Sequence, residues 1–144
     1  MKNTSIIDAG PLIALFDKSD SYHRRAKAKV GEYRKRQGRF ITSWPIITEV
    51  AYMLKEHVYL EAQLDFLEWV AMGGVEVFEM TREHLIKIKR IQKKYANLSI
   101  DFADATALLI AEELEIDRVF SVDKKDFSIY SIPGKGHFEN LFFE

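Results

Sequence analysis

Asn3-Thr4-Ser5-Ile6-Ile7-Asp8-Ala9-Gly10-Pro11-Leu12 is the stretch from which the fold can be read. Asn3–Ile7 predicts a short strand ending at Asp8. Gly10-Pro11 then turns the chain into a helix over Leu12–Phe16, since proline suits the start of a helix. The same order of strand, then turn, then helix recurs along the chain. Ser19, Asp20 and Ser21 offer cap chemistry before a basic helix over Tyr22–Gln37, which Gly38 ends. Phe40–Ser43 predicts a second strand, and Pro45 starts a helix reaching Glu56. Tyr59–Met72 predicts an amphipathic helix stopped by Gly73-Gly74, followed by β-rich Val75–Phe78. Thr81, with His84 three residues on, opens a basic helix to Tyr95. Asp101–Leu114 leaves almost no polar face, so that helix is expected to be buried. Arg118–Val122 predicts a strand ending at Asp123, and Ser128–Ile132 a last short one. Strands alternating with helices define an α/β chain with a mainly parallel central sheet.

Composition narrows the function classes. A length of 144 residues predicts one domain, residues 1–144, and 47% hydrophobic residues exclude a mainly disordered chain. There are no cysteines, which removes disulfide scaffolds, cysteine-zinc sites, iron–sulfur clusters and thiol nucleophiles. Asp8, Gly10 and Pro11 interrupt the N-terminal apolar stretch, which makes a poor signal peptide. No run approaches the roughly 18 apolar residues of a membrane span. A soluble, cytoplasmic protein is expected, with no membrane partner.

The net charge of −1 hides segregation. Arg24–Arg39 carries eight Lys and Arg against Glu32 alone, and Arg82–Lys94 carries six against Glu83. From Ser99 onward ten acids face four bases. Basic and acidic blocks in one chain suit a polyanion held near an acidic centre, and equally suit solvated helix faces. Arg34, Lys35, Arg36, Lys89, Arg90 and Lys93 are the candidate polyanion contacts. Tyr22, Tyr33 and Tyr95 lie near the basic helices, where they either stack on bases or pack.

Four carboxylates sit where a carboxylate is costly. Asp8 and Asp123 each end an apolar strand, and sites in open α/β sheets form beyond the carboxyl ends of strands. Glu49 shares a helix face with Ile46 and Met53, and Asp104 lies in the first turn of the buried helix. Taken singly, each suits a turn cap, an ion pair or a helix dipole. Together they would repel one another and take up protons unless a cation sits among them. Mg²⁺ and Mn²⁺ prefer oxygen ligands and bridge carboxylates to phosphates, which points to phosphodiester hydrolysis. Asp101 suits an N-cap, with Asp101, Ser121 and Asp126 as supporting residues around the four acids.

The strings Ile6-Ile7-Asp8-Ala9-Gly10-Pro11-Leu12, Thr48-Glu49-Val50, Asp101-Phe102-Ala103-Asp104-Ala105 and Ser121-Val122-Asp123-Lys124-Lys125-Asp126-Phe127 together resemble the PIN-domain nucleases, most of all the VapC-type toxins of toxin–antitoxin pairs. The resemblance spans the chain in order. It implies a three-layer α/β/α sandwich and a Mg²⁺- or Mn²⁺-dependent endoribonuclease whose four acids fall on Asp8, Glu49, Asp104 and Asp123. It also implies a homodimer inhibited by a small cognate antitoxin. Apolar Ile47, Val50, Tyr52, Leu54, Val58, Tyr59, Leu64, Phe66, Leu67, Trp69 and Val70 in the two middle helices exceed what one helix–sheet contact buries, which suits a subunit interface or a well-covered core. Many family members carry Ser or Thr where this chain has Gly10, and Thr where it has Ser121. Gly10 lacks a hydroxyl that would orient a ligand carboxylate, whereas Ser121 keeps one.

Other readings make different demands. A PIN nuclease of RNA processing would lack an antitoxin gene beside it. A phospho-acceptor receiver module needs an aspartate after a central strand, where Val75–Glu79 offers only Glu79. A haloacid-dehalogenase-like phosphatase needs a second aspartate at position 10, which is Gly10.

Overall fold

A computed structural model describes residues 3–144. β1 (Thr4–Ile7) leads through α1 (Ala9–Phe16) and α2 (His23–Lys35) to β2 (Arg39–Thr42). α3 (Trp44–His57) and α4 (Leu60–Ala71) follow, then β3 (Glu76–Val77), α5 (His84–Lys94) and α6 (Phe102–Leu114). The chain continues through β4 (Arg118–Phe120), α7 (Lys124–Ile129), β5 (Ser131–Ile132), β6 (Gly136–His137) and β7 (Glu139–Asn140). Five strands form one all-parallel sheet in the order β3-β2-β1-β4-β7, with helices on both faces. The expected three-layer sandwich is therefore present. Among the described residues, no helix is long and apolar enough to cross a membrane.

Each layer packs for a reason visible in its residues. On one face, Tyr33 of α2 lies against Phe40 and Phe120, each ring centroid 5.2 Å away, and accepts a 2.7 Å hydrogen bond from the buried Ser5 hydroxyl. A buried hydroxyl left unpaired would cost about 1–3 kcal/mol, so this bond fixes α2 in register on β1. α6 packs against β1, and every residue from Ala105 to Ala111 is buried. Ser43 caps α3 by accepting from the Ile46 N–H, and its hydroxyl also pairs with that of Thr106 at 2.6 Å. That pair ties the start of α3 to α6.

Two expectations at the C-terminal end need correction. Ser128 and Ile129 complete α7, and only Ser131–Ile132 is extended, in an antiparallel hairpin with β6 outside the main sheet. The fifth strand of the main sheet is instead β7, which pairs with β4 and is fixed where the Glu139 N–H donates to Asp117 O at 2.8 Å. The strand expected to reach Val122 stops at Phe120, because the Ser121 N–H turns to the Asn140 side chain.

Candidate active site

Parallel pairing places the ends of β1, β2 and β4 on one edge of the sheet, and the acids gather there. Asp8 follows β1, Glu49 lies in the second turn of α3 beyond β2, Asp123 follows β4, and Asp104 sits in the first turn of α6. Ser121 joins two of them. Its hydroxyl donates to Asp8 Oδ2 at 3.1 Å and accepts from the Asp123 N–H at 3.0 Å. Asn140 in turn holds Ser121: its Oδ1 accepts from the Ser121 N–H at 3.2 Å, and its Nδ2 donates to Ser121 O at 3.0 Å. Asn140 was not among the residues expected from the sequence. A polar residue in a two-residue strand carries no periodic signal, and only a side-chain amide matched to a neighbouring backbone amide would have marked it.

The acids divide by what they already do. Asp101 caps α6, its Oδ1 accepting from the Asp104 N–H at 2.8 Å, as expected. Asp123 caps α7, its Oδ1 accepting from the Asp126 N–H at 2.9 Å. Asp126 is thus in the first turn of a short helix. Asp8, by contrast, makes no side-chain cap bond.

The electrostatics agree with this clustering. Burial raises the Asp8 carboxyl above its usual range, and the charges of Asp123 and Asp101 raise it further, against hydrogen bonds from the Ala9 backbone and the Ser121 hydroxyl. Burial also raises Glu49, with Asp101 and Asp8 adding to it. Asp104 is pushed up to about 7, first by burial and then by Asp8 and Asp101. The charges acting most strongly on these three groups are all negative. Buried Tyr130 is shifted upward by burial and, in the same sense, by the charges of Asp104, Asp126, Asp123 and Asp8.

Among the described residues, no three Asp, Glu or His side chains are preassembled to hold a metal ion. The donor set nonetheless fits a hard divalent cation. Mg²⁺ keeps several waters and needs only one or two protein carboxylates, and the cluster consists of oxygen donors with unbalanced negative charge. A groove of about 500 Å³ opens beside it, lined by Pro45, Thr48, Glu49, Tyr52, Asp101, Phe102 and Ala103.

The basic candidates separate. α2 returns from the carboxyl edge to the amino edge of the sheet to enter β2, so Arg34, Lys35 and Arg36 end at the amino edge. There Asn3, just before β1, donates to Arg36 O at 2.7 Å. Arg34 donates to Gly74 O and lies over the Phe40 and Trp69 rings. A four-residue strand, about 13 Å of rise, separates this edge from Asp8. These three bases are not brought together with the acids. Arg90 is paired with Glu112 at 2.7 Å, while Lys89 and Lys93 are exposed on α5. Tyr33 and Tyr95 are buried in packing.

Gly10 leaves no room for a hydroxyl-bearing side chain. A Cβ at Gly10 would overlap Val122 Cγ2 and lie 3.1 Å from Cγ1. Val122 fills that space, and Ser121 provides the hydroxyl that orients Asp8.

The fold is that of an α/β class with acids at the carboxyl edge of a parallel sheet. The PIN domain family model matches residues 5–132, and the chain belongs to that family. A curated relative, Ribonuclease VapC26 of Mycobacterium tuberculosis (strain ATCC 25618 / H37Rv), is 27% identical over 134 residues, covering 92% of this chain and 96% of the relative. The fold is also similar to the crystal structure of Mycobacterium tuberculosis VapC20, described as a sarcin-ricin loop cleaving toxin. The TM-score is 0.74 at 17% identity, over 83% of this chain and 90% of that one.

Two outcomes are expected. A carboxyl raised from 3.8 to about 7 on folding contributes stability fully below 3.8 and loses it as pH rises through 7. In chelator, Asp104→Asn should therefore be more stable than the unaltered protein at alkaline pH, with the difference shrinking toward acid. Urea midpoints across pH measure this, and a difference constant with pH contradicts it. Gly10→Ser should displace Val122 and with it Ser121 and Asp123, lowering cleavage about tenfold or more, as lost orienting contacts at metal sites do. Gly10→Ser combined with Val122→Ala should recover most of that loss. A Gly10→Ser protein as active as the unaltered one refutes the steric account.

Proposed function

We propose that this chain is an endoribonuclease that hydrolyses RNA phosphodiester bonds with a bound Mg²⁺ or Mn²⁺, and that it is the toxin of a type II toxin–antitoxin pair. The observation that carries this reading is the gathering of buried Asp8 and half-buried Glu49, Asp104 and Asp123 at one sheet edge, with Asp8, Glu49 and Asp104 raised by burial and by neighbouring acids. The VapC relatives support it. Asp8, Glu49, Asp104 and Asp123 are the residues that would hold the ion, which when bound would supply the positive charge the cluster lacks and lower the pKa of a bound water so that it can lose a proton and attack as hydroxide. Ser121, held by Asn140, fixes the direction of the Asp8 carboxylate. Asp101 caps the helix start that carries Asp104, and the Asp126 backbone N–H holds one oxygen of the Asp123 carboxylate. A small antitoxin would inhibit the enzyme by placing a basic side chain among these acids, the charge-assisted pairing the site favours.

Chelator should abolish cleavage of RNA, and Mg²⁺ or Mn²⁺ should restore it. Asp8→Asn should abolish it with the fold intact by circular dichroism, and Ser121→Ala should cost about 10- to 100-fold. The product of an adjacent small gene should co-purify and suppress the activity. Cleavage that survives excess chelator, or an active Asp8→Asn protein, defeats the metal mechanism. Harmless expression without a partner gene defeats the toxin role.

The reading includes a homodimer. Ile47, Val50, Leu54 and Phe66 are absorbed by the core, whereas Tyr52, Tyr59, Leu60, Leu64 and Leu67 are 41–60% exposed. Leu60, Leu64 and Leu67 share one face of α4 at helical spacing. Sedimentation equilibrium should give a dimer that Leu64→Glu converts to a monomer. A monomeric unaltered protein refutes it.

A further inference from the structure

The helix α6 is buried along its middle, yet Phe102 in its first turn is 41% exposed. Phe102 stands between two grooves. On one side it shares the groove of Glu49 and Asp101. On the other it closes a groove of about 520 Å³ along α5, lined also by Leu85, Ile88, Lys89, Gln92 and Lys93. The bases of α5 are sorted by this geometry. Lys87 and Arg90 face α6, where Glu113 and Glu112 neutralise them. Lys89 and Lys93 are exposed on the groove side and have no acidic partner among the described residues. Four residues apart on one helix, they repeat a positive charge about every 6 Å along the groove.

We infer that Phe102 is a stacking platform for a base of single-stranded RNA, with Lys89 and Lys93 holding the adjoining phosphates as the strand runs from the α5 groove to the acids. An exposed aromatic ring beside a positive track is what unpaired bases and their backbone require, since every base has a face to stack and every phosphate a charge to neutralise. An acidic site repels a polyanion, so the track that brings RNA to it has to lie beside the acids and be positive. Of the basic residues discussed, Lys89 and Lys93 line the groove that Phe102 joins to the groove of Glu49 and Asp101, whereas Arg34, Lys35 and Arg36 lie at the opposite edge and Arg90 is already paired. This inference rests on the ribonuclease reading and adds to it the residues that seat the strand.

The test measures binding in chelator, with the full chain and a short single-stranded oligoribonucleotide carrying a fluorescent purine analogue. Phe102→Ala should weaken binding about tenfold, the usual cost of one lost base stack, and abolish the quenching of the analogue. Phe102→Trp should retain both. Lys89→Ala with Lys93→Ala should reduce the slope of log affinity against log salt by about 1.4, from two single-strand phosphate contacts. Lys87→Ala, whose partner is Glu113, should leave that slope unchanged. Unchanged RNA affinity in Phe102→Ala overturns the inference, including the case in which that variant loses a peptide partner instead. An unchanged slope in the double lysine variant overturns it as well. If the unaltered protein neither binds nor cuts RNA, the ribonuclease reading falls and this inference falls with it. If Phe102→Ala binds and cuts as well as the unaltered protein, only this inference fails.

Discussion

Asp8 is a buried carboxyl at the end of the central strand, surrounded by groups of its own charge, and much of the neighbouring structure accommodates that cost. A charge taken out of water must be paired, hydrogen-bonded or neutralised by a proton. Here the fold provides a hydrogen bond from the Ser121 hydroxyl and one from the Ala9 backbone, and leaves the remaining charge unbalanced. The packing around it is built of short polar links, not of ion pairs: Ser43 to Thr106, Thr42 to Ile7 O, Asn140 to Ser121. Each fixes an element at the carboxyl edge without bringing in a positive charge that would compete with a cation.

Much of this was legible in the sequence, for identifiable physical reasons. Asp8, Glu49, Asp104 and Asp123 stood out because an acid on an apolar strand or helix face contradicts its surroundings. α6 stood out because a run such as Ala105 to Ala111 has no side to offer water. β7 and its Asn140 did not, since two residues cannot show a period. The hairpin of β5 and β6 was misread for the same reason: its extended part is too short to separate from the helix before it.

The basic blocks show a different limit. A charge run in a sequence has no direction, but a helix linking neighbouring parallel strands does. α2 leaves β1 at the carboxyl edge and must deliver the chain to the amino end of β2, so bases in its last turn finish far from the acids. Topology, not composition, decides which basic cluster stands near the site. α5 shows the finer form of this sorting, because one helix carries both bases bound to α6 and bases left on the open side.

Asn140 has a consequence for the chain as it is being made. Asp8, Glu49, Asp104 and Asp123 are all synthesised before the residue that clamps Ser121. A nascent chain that has just completed the fourth acid has every carboxylate but lacks β7 and the amide that holds the hydroxyl between Asp8 and Asp123. Synthesis thus puts the four acids before the amide that steadies two of them, and the link between Asp8 and Asp123 through Ser121 is completed by the edge strand.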